Sequence, residues 1–157
     1  MKIVVTGGTG YLGHHLCRAL ANAEHDVISV DNYTRGNLNN HLDGVEYIAS
    51  DTQNIDFALK DKPDIIYHLG EYSRVSTSFK DINLCHESNM VGTFKVLQYC
   101  IKHKVRLIYG ASSSLFSPDG KNDSPYAFFK GTNVELIKNY NKWFDLQYDM
   151  AYFFNTY

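Results

Sequence analysis

The chain has 157 residues, of which 44% are hydrophobic and 20% are charged, and its formal net charge at pH 7 is −2. This length and composition are typical of one globular domain that is large enough to bury a core. The small net charge gives no reason to expect nucleic acid or an acidic membrane surface as a partner.

Short apolar segments alternate with longer amphipathic segments along the whole chain. Apolar runs predict strands, and segments with helical periodicity predict helices. The predicted strands are residues 2–6, 26–30, 45–50, 64–69, 105–111 and 147–154, and the predicted helices are residues 11–23, 53–61, 79–102 and 125–143. This alternation favours an α/β fold, a Rossmann-type doubly wound parallel sheet with helices on both faces.

A glycine-rich turn follows the first predicted strand and opens the first predicted helix at Tyr11. The glycines are Gly7, Gly8, Gly10 and Gly13. Such a turn lets backbone N–H groups approach a pyrophosphate at the helix N-terminus, where the helix dipole favours an anion. Asp31 ends the second strand, 18 residues after Gly13, where a carboxylate binds the ribose of a dinucleotide. The pattern predicts a dinucleotide site; the alternative is a turn that only packs a helix on the sheet.

A second set of candidate residues lies in the last third of the chain. The serines Ser112, Ser113 and Ser114 come at the end of the fifth predicted strand. Tyr126 and Lys130 are four residues apart at the start of the last predicted helix, so they share one helix face. The lysine and a cationic nicotinamide would both favour the ionised phenol, which suits Tyr126 for proton abstraction from a substrate oxygen held by a serine.

The cysteines and the N-terminal residues indicate in which cellular compartment the protein is expected. Cys17, Cys85 and Cys100 lack metal-ligand spacing and fall in helical patterns, which indicates reduced thiols and no metal site. No apolar run approaches membrane-spanning length, and Met1 leads almost directly into a strand, so we expect neither a membrane partner nor a signal peptide. The expected location is the cytoplasm.

Together these motifs resemble those of the extended short-chain dehydrogenase/reductase family, in particular its NAD-dependent nucleotide-sugar epimerases and dehydratases. The resemblance covers the whole chain. The matching segments are Thr6–Gly13, Val30–Asn32, Ser50–Thr52, Tyr67–Gly70, Asn89–Thr93, Ala111–Phe116, Tyr126 with Lys130, and Phe153–Tyr157.

The resemblance implies a role for each matching residue. The implied catalytic residues are Ser112, Tyr126 and Lys130. The implied cofactor contacts are Gly7, Gly10, Tyr11, Leu12, Gly13, Asp31, Asn32, Asp51, Thr52, Leu69, Gly70, Asn89, Tyr126 and Lys130. The implied substrate contacts are Ser112, Ser113 and Asn155. Asp31 favours NAD over NADP because a carboxylate repels a 2′-phosphate, and Arg35 is expected to lie in a solvated loop.

The implied reaction is epimerisation of a UDP-hexose at C4 through a transient keto sugar. Tyr126 would remove the hydroxyl proton while hydride leaves the same carbon for NAD⁺, and the keto sugar would be reduced on its other face. The sequence departs from the dehydratases at Ser113 and Ser114, where those enzymes carry an Asp-Glu pair, so dehydration is disfavoured. Glu71 replaces an expected small residue and is predicted to be a solvated residue or a loop residue, the alternative being contact with the nicotinamide or the sugar.

The chain ends at Tyr157, whereas the family continues into a smaller carboxyl-terminal lobe that closes over the sugar nucleotide. We therefore expect residues 1–157 to be an NAD-binding Rossmann domain without its substrate lobe. The alternatives are an NAD-binding module with little or no catalysis, a nicotinamide-sensing regulator, and a nucleotide-sugar dehydratase or reductase. Apolar stripes on the third and fourth predicted helices suggest a homodimer through a four-helix bundle. They consist of Val91, Phe94, Leu97, Ile101, Phe128, Val134 and Ile137.

Overall fold

A parallel β-sheet forms the centre of the computed structural model, which describes residues 1–154. Its strands are β1 (Lys2–Thr6), β2 (Asp26–Asp31), β3 (Val45–Ala49), β4 (Ile65–His68), β5 (Arg106–Ser112) and β6 (Tyr148–Phe153). Their order in the sheet is β3-β2-β1-β4-β5-β6, and every neighbouring pair is parallel. The strand order reverses between β1 and β4, which is where doubly wound sheets bind their ligands. The predicted fold class is confirmed.

The helices are α1 (Tyr11–Asn22), α2 (Ile55–Ala58), α3 (Ile82–His86), α4 (Thr93–His103) and α5 (Pro125–Phe144). The first and last predicted helices agree with α1 and α5 to within one residue. Helix α5 begins sharply because the Ser124 hydroxyl accepts a hydrogen bond from the Ala127 amide, and Pro125 occupies the first helical turn.

The other two predicted helices are wrong in extent. The second is a 3-10 turn followed by the single turn of α2. The third is not one regular helix, because a π-helical segment, Glu87–Gly92, separates α3 from α4. Periodicity in the sequence does not reveal such a segment, since the apolar spacing on either side remains helical.

The core lies on both faces of the sheet. Val4 and Val5 are adjacent in β1 and fully buried, yet they belong to different apolar clusters, because successive side chains of a strand point to opposite faces. Val4 packs in the larger cluster with Leu97 of α4 and Ile137 of α5. Val5 packs with Cys17 of α1. The helices therefore cover both faces, and the polar ends of the strands remain accessible.

No helix within residues 1–154 combines the length and the apolar character that crossing a membrane requires.

Candidate active site

A cleft of about 760 Å³ opens at the carboxyl ends of the strands. Its lining includes the predicted site residues Gly7, Gly10, Tyr11, Leu12, Gly13, Asp31, Asn32, Asp51, Thr52, Leu69, Gly70, Ser112, Ser113, Tyr126 and Lys130. Two predicted residues are missing from this wall. Asn89 lies elsewhere, and Asn155 falls outside the described residues. The topology thus brings segments from six parts of the chain to one surface.

The glycine turn forms one end of the cleft. Gly7 has a φ of +73°, and a side chain there would place Cβ 2.8 Å from the Cα atom of Gly70, in the loop after β4. A Cβ atom on Gly13 would lie 2.0 Å from the carbonyl oxygen of Gly7. Both positions therefore require glycine.

The N-terminus of α1 borders the cleft. Its N-cap is Gly10, which provides no side-chain acceptor for the amides of the first turn. Those amides carry the positive end of the helix dipole and lie beside the cleft. This end of the cleft therefore fits the pyrophosphate of a dinucleotide.

The carboxylate of Asp31 lies beside this turn at the end of β2. One oxygen accepts a hydrogen bond from the Thr9 amide at 2.9 Å, and the other accepts one from the Tyr33 amide at 2.9 Å. These bonds fix the orientation of the side chain, and each oxygen retains a lone pair for a further donor. Asp31 lines the cleft, so its position suits the ribose hydroxyls of an adenosine.

Arg35 lies in the exposed loop after β2, as the sequence predicts, and it also has partners across the cleft. Its side chain is about half exposed and lines the cleft. The Nη2 atom lies 3.5 Å from a carboxylate oxygen of Asp81, and the guanidinium lies 5.6 Å from the ring centre of Tyr72. Arg35 thus connects the loop after β2 with the segment after β4.

Ser112, Tyr126 and Lys130 line the opposite part of the same cleft. The Ser112 hydroxyl accepts hydrogen bonds from the Ser114 amide at 3.2 Å and the Ser114 hydroxyl at 3.0 Å. Its own proton therefore remains available to a ligand oxygen. Tyr126 is 8% exposed, and within residues 1–154 its phenol makes no hydrogen bond. The arrangement gives one donor hydroxyl and one unengaged phenol on the same wall.

Glu71 lies in the loop after β4 and lines the cleft, but the prediction that it is solvated is wrong. Its side chain is only 2% exposed, and one carboxylate oxygen forms an ion pair with the ammonium of Lys130. The other oxygen accepts hydrogen bonds from Thr93 at 2.6 Å, Asn133 at 2.9 Å and Tyr109 at 3.1 Å. Burial and the charge of Glu71 raise the pKa of Tyr109 well above its ordinary value, so that phenol remains the donor. A buried carboxylate in an ion pair is stabilised by additional donors of this kind.

Lys130 has a second partner on β5. Its Nζ atom donates a hydrogen bond to the carbonyl oxygen of Gly110 at 2.5 Å and lies 4.7 Å from the centre of the Tyr109 ring. The side chain is 7% exposed and still lines the cleft. An ammonium has three donors, and two are used by these partners, so one can serve a ligand.

Asn89 does not hold the position expected of a cofactor contact. It is fully buried in the π-helical segment, where its side chain accepts a hydrogen bond from the Tyr72 amide at 2.7 Å and donates one to the Tyr72 carbonyl at 3.0 Å. Its own carbonyl accepts a hydrogen bond from Asn133 at 2.7 Å. Asn89 therefore holds the backbone beside Glu71.

The family is settled by comparison with known proteins. The model of the NAD-dependent epimerase/dehydratase family matches residues 3–157. The chain belongs to this family. The resemblance predicted from the motifs is confirmed, and NAD is the cofactor by which the family is defined.

Individual relatives are distant in sequence and close in fold. The chain is 31% identical over 146 residues to the ADP-L-glycero-D-manno-heptose-6-epimerase of Brachyspira hyodysenteriae, covering 82% of this chain and 45% of the relative. It is 29% identical over 136 residues to the UDP-N-acetyl-alpha-D-glucosaminuronate decarboxylase of Bacillus cytotoxicus, covering 80% and 40%. The solved UDP-glucose 4-epimerase of Thermotoga maritima superimposes with a TM-score of 0.90 at 23% identity, covering 100% of this chain and 56% of that one. The chain therefore spans about half the length of the proteins it matches.

Two serines directly follow β5. Ser113 and Ser114 occupy the positions where the resemblance places an Asp-Glu pair in those enzymes, and both line the cleft. Glu71, a carboxylate that also lines the cleft, is paired with Lys130. The cleft thus offers hydroxyl groups at the place where dehydration would need a carboxylic acid.

Proposed function

We propose that this chain is the cofactor-binding and catalytic domain, residues 1–157, of an NAD-dependent nucleotide-sugar epimerase of the UDP-hexose 4-epimerase type. The observation that supports it is the presence of Ser112, Tyr126 and Lys130 in the same cleft as the glycine turn and Asp31. The end of the cleft at the glycine turn suits a dinucleotide because Gly10 provides no side-chain cap for the α1 amides and because the Asp31 carboxylate is held in place by hydrogen bonds.

The side chains have distinct tasks in this proposal. The Ser112 proton is available to bind the oxygen of the reacting carbon, and the Tyr126 phenol is available to take the hydroxyl proton from that oxygen. Lys130 lies one helical turn from Tyr126 and lines the same cleft, so its remaining N–H donor is available to a ligand bound beside the phenol. When bound, the nicotinamide would supply the hydride chemistry. The domain orients the substrate and the cofactor and provides the hydrogen-bonding and charged groups around them.

Dehydration is the weaker candidate. It requires an acid that protonates the departing hydroxyl, and the hydroxyl groups of Ser113 and Ser114 are too weakly acidic for that task. Oxidation and reduction at a single carbon need only Tyr126 as acid and base. We therefore favour epimerisation or reduction at one carbon, with a UDP-sugar as substrate and the cytoplasm as location.

A homodimer is part of the proposal. Phe94 on α4 is 39% exposed and Phe128 on α5 is 46% exposed, whereas Leu97, Val134 and Ile137 are buried within the domain. Two of the seven predicted interface residues are thus well exposed, and they are aromatic. An exposed aromatic pair on neighbouring helices suits a helix-to-helix contact with a second copy.

Two measurements test the function. Calorimetric titration with NAD⁺ should show binding, and addition of UDP-glucose or UDP-galactose to the loaded chain should produce the absorbance of reduced nicotinamide in a single turnover. Tyr126→Phe should retain NAD⁺ binding and lose hydride transfer by at least about a hundred-fold, the usual contribution of a general base. Tyr148→Phe on β6 is the control and should keep hydride transfer. Tyr11→Phe is unsuitable because Tyr11 lines the cleft. Hydride transfer that survives in Tyr126→Phe would overturn the assignment of the base.

A further inference from the structure

The buried partner of Lys130 was not expected from the motifs. Glu71 is the second residue after Leu69 in the loop that follows β4, and Lys130 lies 59 residues further along on α5. Four donors, from α4, α5 and β5, converge on the Glu71 carboxylate: Thr93, Tyr109, Lys130 and Asn133. A carboxylate that accepts from this many donors is held in one orientation.

This pairing decides the charge of the catalytic end of the cleft. The Glu71–Lys130 ion pair as a whole has no net charge. Without the carboxylate, the buried ammonium would leave the wall with a charge of +1. The nicotinamide ring is cationic in NAD⁺ and neutral in NADH. Like charges repel most strongly at short range and where the charged group is buried, as Lys130 is. The net charge of this wall therefore affects the binding of NAD⁺ far more than the binding of NADH.

We propose that Glu71 is a positioning residue that holds Lys130 beside the reacting atoms and cancels its charge, so that the cleft binds oxidised cofactor without electrostatic penalty. The proposal rests on the proposed function, because it places the nicotinamide at Tyr126 and Lys130. It assigns Glu71 a role in poising the redox state of the bound cofactor. An epimerase must begin each turnover with NAD⁺, so this role suits the reaction.

The test compares the ratio of the dissociation constants for NAD⁺ and NADH in wild-type chain and variants, measured by calorimetric titration. Glu71→Gln keeps the shape of the side chain and removes its charge, and it should raise the ratio on the order of ten-fold in favour of NADH. Glu135→Gln is the matched control on α5, where the glutamate is 61% exposed and pairs with Lys121 outside the cleft; its ratio should equal that of the wild type. A purely structural role for Glu71 would weaken both cofactors equally and leave the ratio unchanged.

A reciprocal variant protects the test against misfolding. Lys130→Met removes the cation and leaves the carboxylate with its other donors, so the ratio should move in the opposite direction, towards NAD⁺. Folding of each variant is checked by circular dichroism. The inference is overturned if a folded Glu71→Gln chain has an unchanged ratio. If that variant does not fold, the inference is overturned by a Lys130→Met ratio that is unchanged or moves towards NADH. A wild-type chain that binds neither cofactor would overturn the proposed function as well, whereas binding of both with a fixed ratio would overturn this inference alone.

Discussion

The hydroxyl of Thr6, at the end of β1, lies 2.7 Å from Nδ1 of His68, at the end of β4, and both residues are fully buried. The other ring nitrogen of His68 lies 2.9 Å from the hydroxyl of Thr93. Since Thr93 uses its single proton in its bond to Glu71, His68 must donate from Nε2 and accept at Nδ1 from Thr6. The Thr6 oxygen in turn accepts from the amide of Gly70 at 2.9 Å. An ordered chain of hydrogen bonds thus joins the glycine turn to the Glu71–Lys130 pair.

This arrangement requires neutral His68, and it makes stability depend on pH. Burial lowers the pKa of His68 from 6.5 to about 4. Above pH 6.5 the ring is neutral in the folded and unfolded chains, so it contributes no pH dependence. Between pH 6.5 and 4 only the unfolded chain takes up the proton, so the free energy of unfolding should fall by about 3 kcal/mol across this window.

Urea denaturation at several pH values measures this dependence. In His68→Gln the free energy of unfolding should fall by about 3 kcal/mol less between pH 6.5 and 4 than it does in the wild type. In His86→Gln, at an exposed position, it should fall as in the wild type. Equal slopes in the two variants would contradict the assignment of a neutral buried ring.

The glycine turn predicts different outcomes for two alanine substitutions. Gly13→Ala places a methyl group against the Gly7 carbonyl, so it should destabilise the domain by several kcal/mol or prevent folding. Gly10→Ala meets its nearest atom, the same carbonyl oxygen, at 3.3 Å and has ordinary backbone angles. Gly10→Ala should therefore fold with a free energy of unfolding within about 1 kcal/mol of the wild type.

Thermal melting and NAD⁺ titration separate the two effects. Gly10→Ala should bind NAD⁺ more weakly in spite of its native fold, because its methyl group occupies the approach to the α1 amides. A Gly13→Ala chain with native stability would show that the close approach of helix and turn is not required.

Asp31 should control the choice between NAD and NADP. Its carboxylate would face the 2′ position of the adenosine ribose, so the wild-type chain should bind NAD⁺ at least about ten-fold more tightly than NADP⁺. Asp31→Ala should narrow this difference, since it removes the repelling charge and leaves Arg35 near the cleft. Titration with both cofactors decides the matter, and Asp26→Ala, at the exposed opposite end of β2, provides the control. Tighter binding of NADP⁺ by the wild-type chain would reverse the assignment.

The exposed phenylalanines make the proposed dimer testable. Sedimentation at micromolar concentration should show a dimer of the wild-type chain and a monomer of Phe128→Lys, because a lysine ammonium cannot be buried there without a partner. Phe57→Lys changes a side chain that is 90% exposed on the short helix α2 and is not one of the seven predicted interface residues, so it should leave the dimer intact. A wild-type chain that sediments as a monomer would exclude the four-helix interface.

Local signals in the sequence were sufficient for the alternation of strands and helices, for the turn at Gly7 to Gly13, and for the start of α5 at Ser124 and Pro125. Each of these depends on interactions within a few residues: periodic burial, left-handed backbone, and a side chain that caps its own helix. The positions of Ser112, Tyr126 and Lys130 also followed, because residues after parallel strands meet at one edge of the sheet.

The tertiary structure alone decided what surrounds those residues. The sequence around Glu71 is the same whether the side chain faces water or a buried ammonium. Its partners lie on three other elements, and strand order and helix packing determine where those elements lie. For the same reason the sequence did not predict that Asn89 bonds to Tyr72 or that Arg35 pairs with Asp81. Pairing between side chains far apart in the chain leaves no local pattern, because its energy exists only after the sheet has brought the elements together.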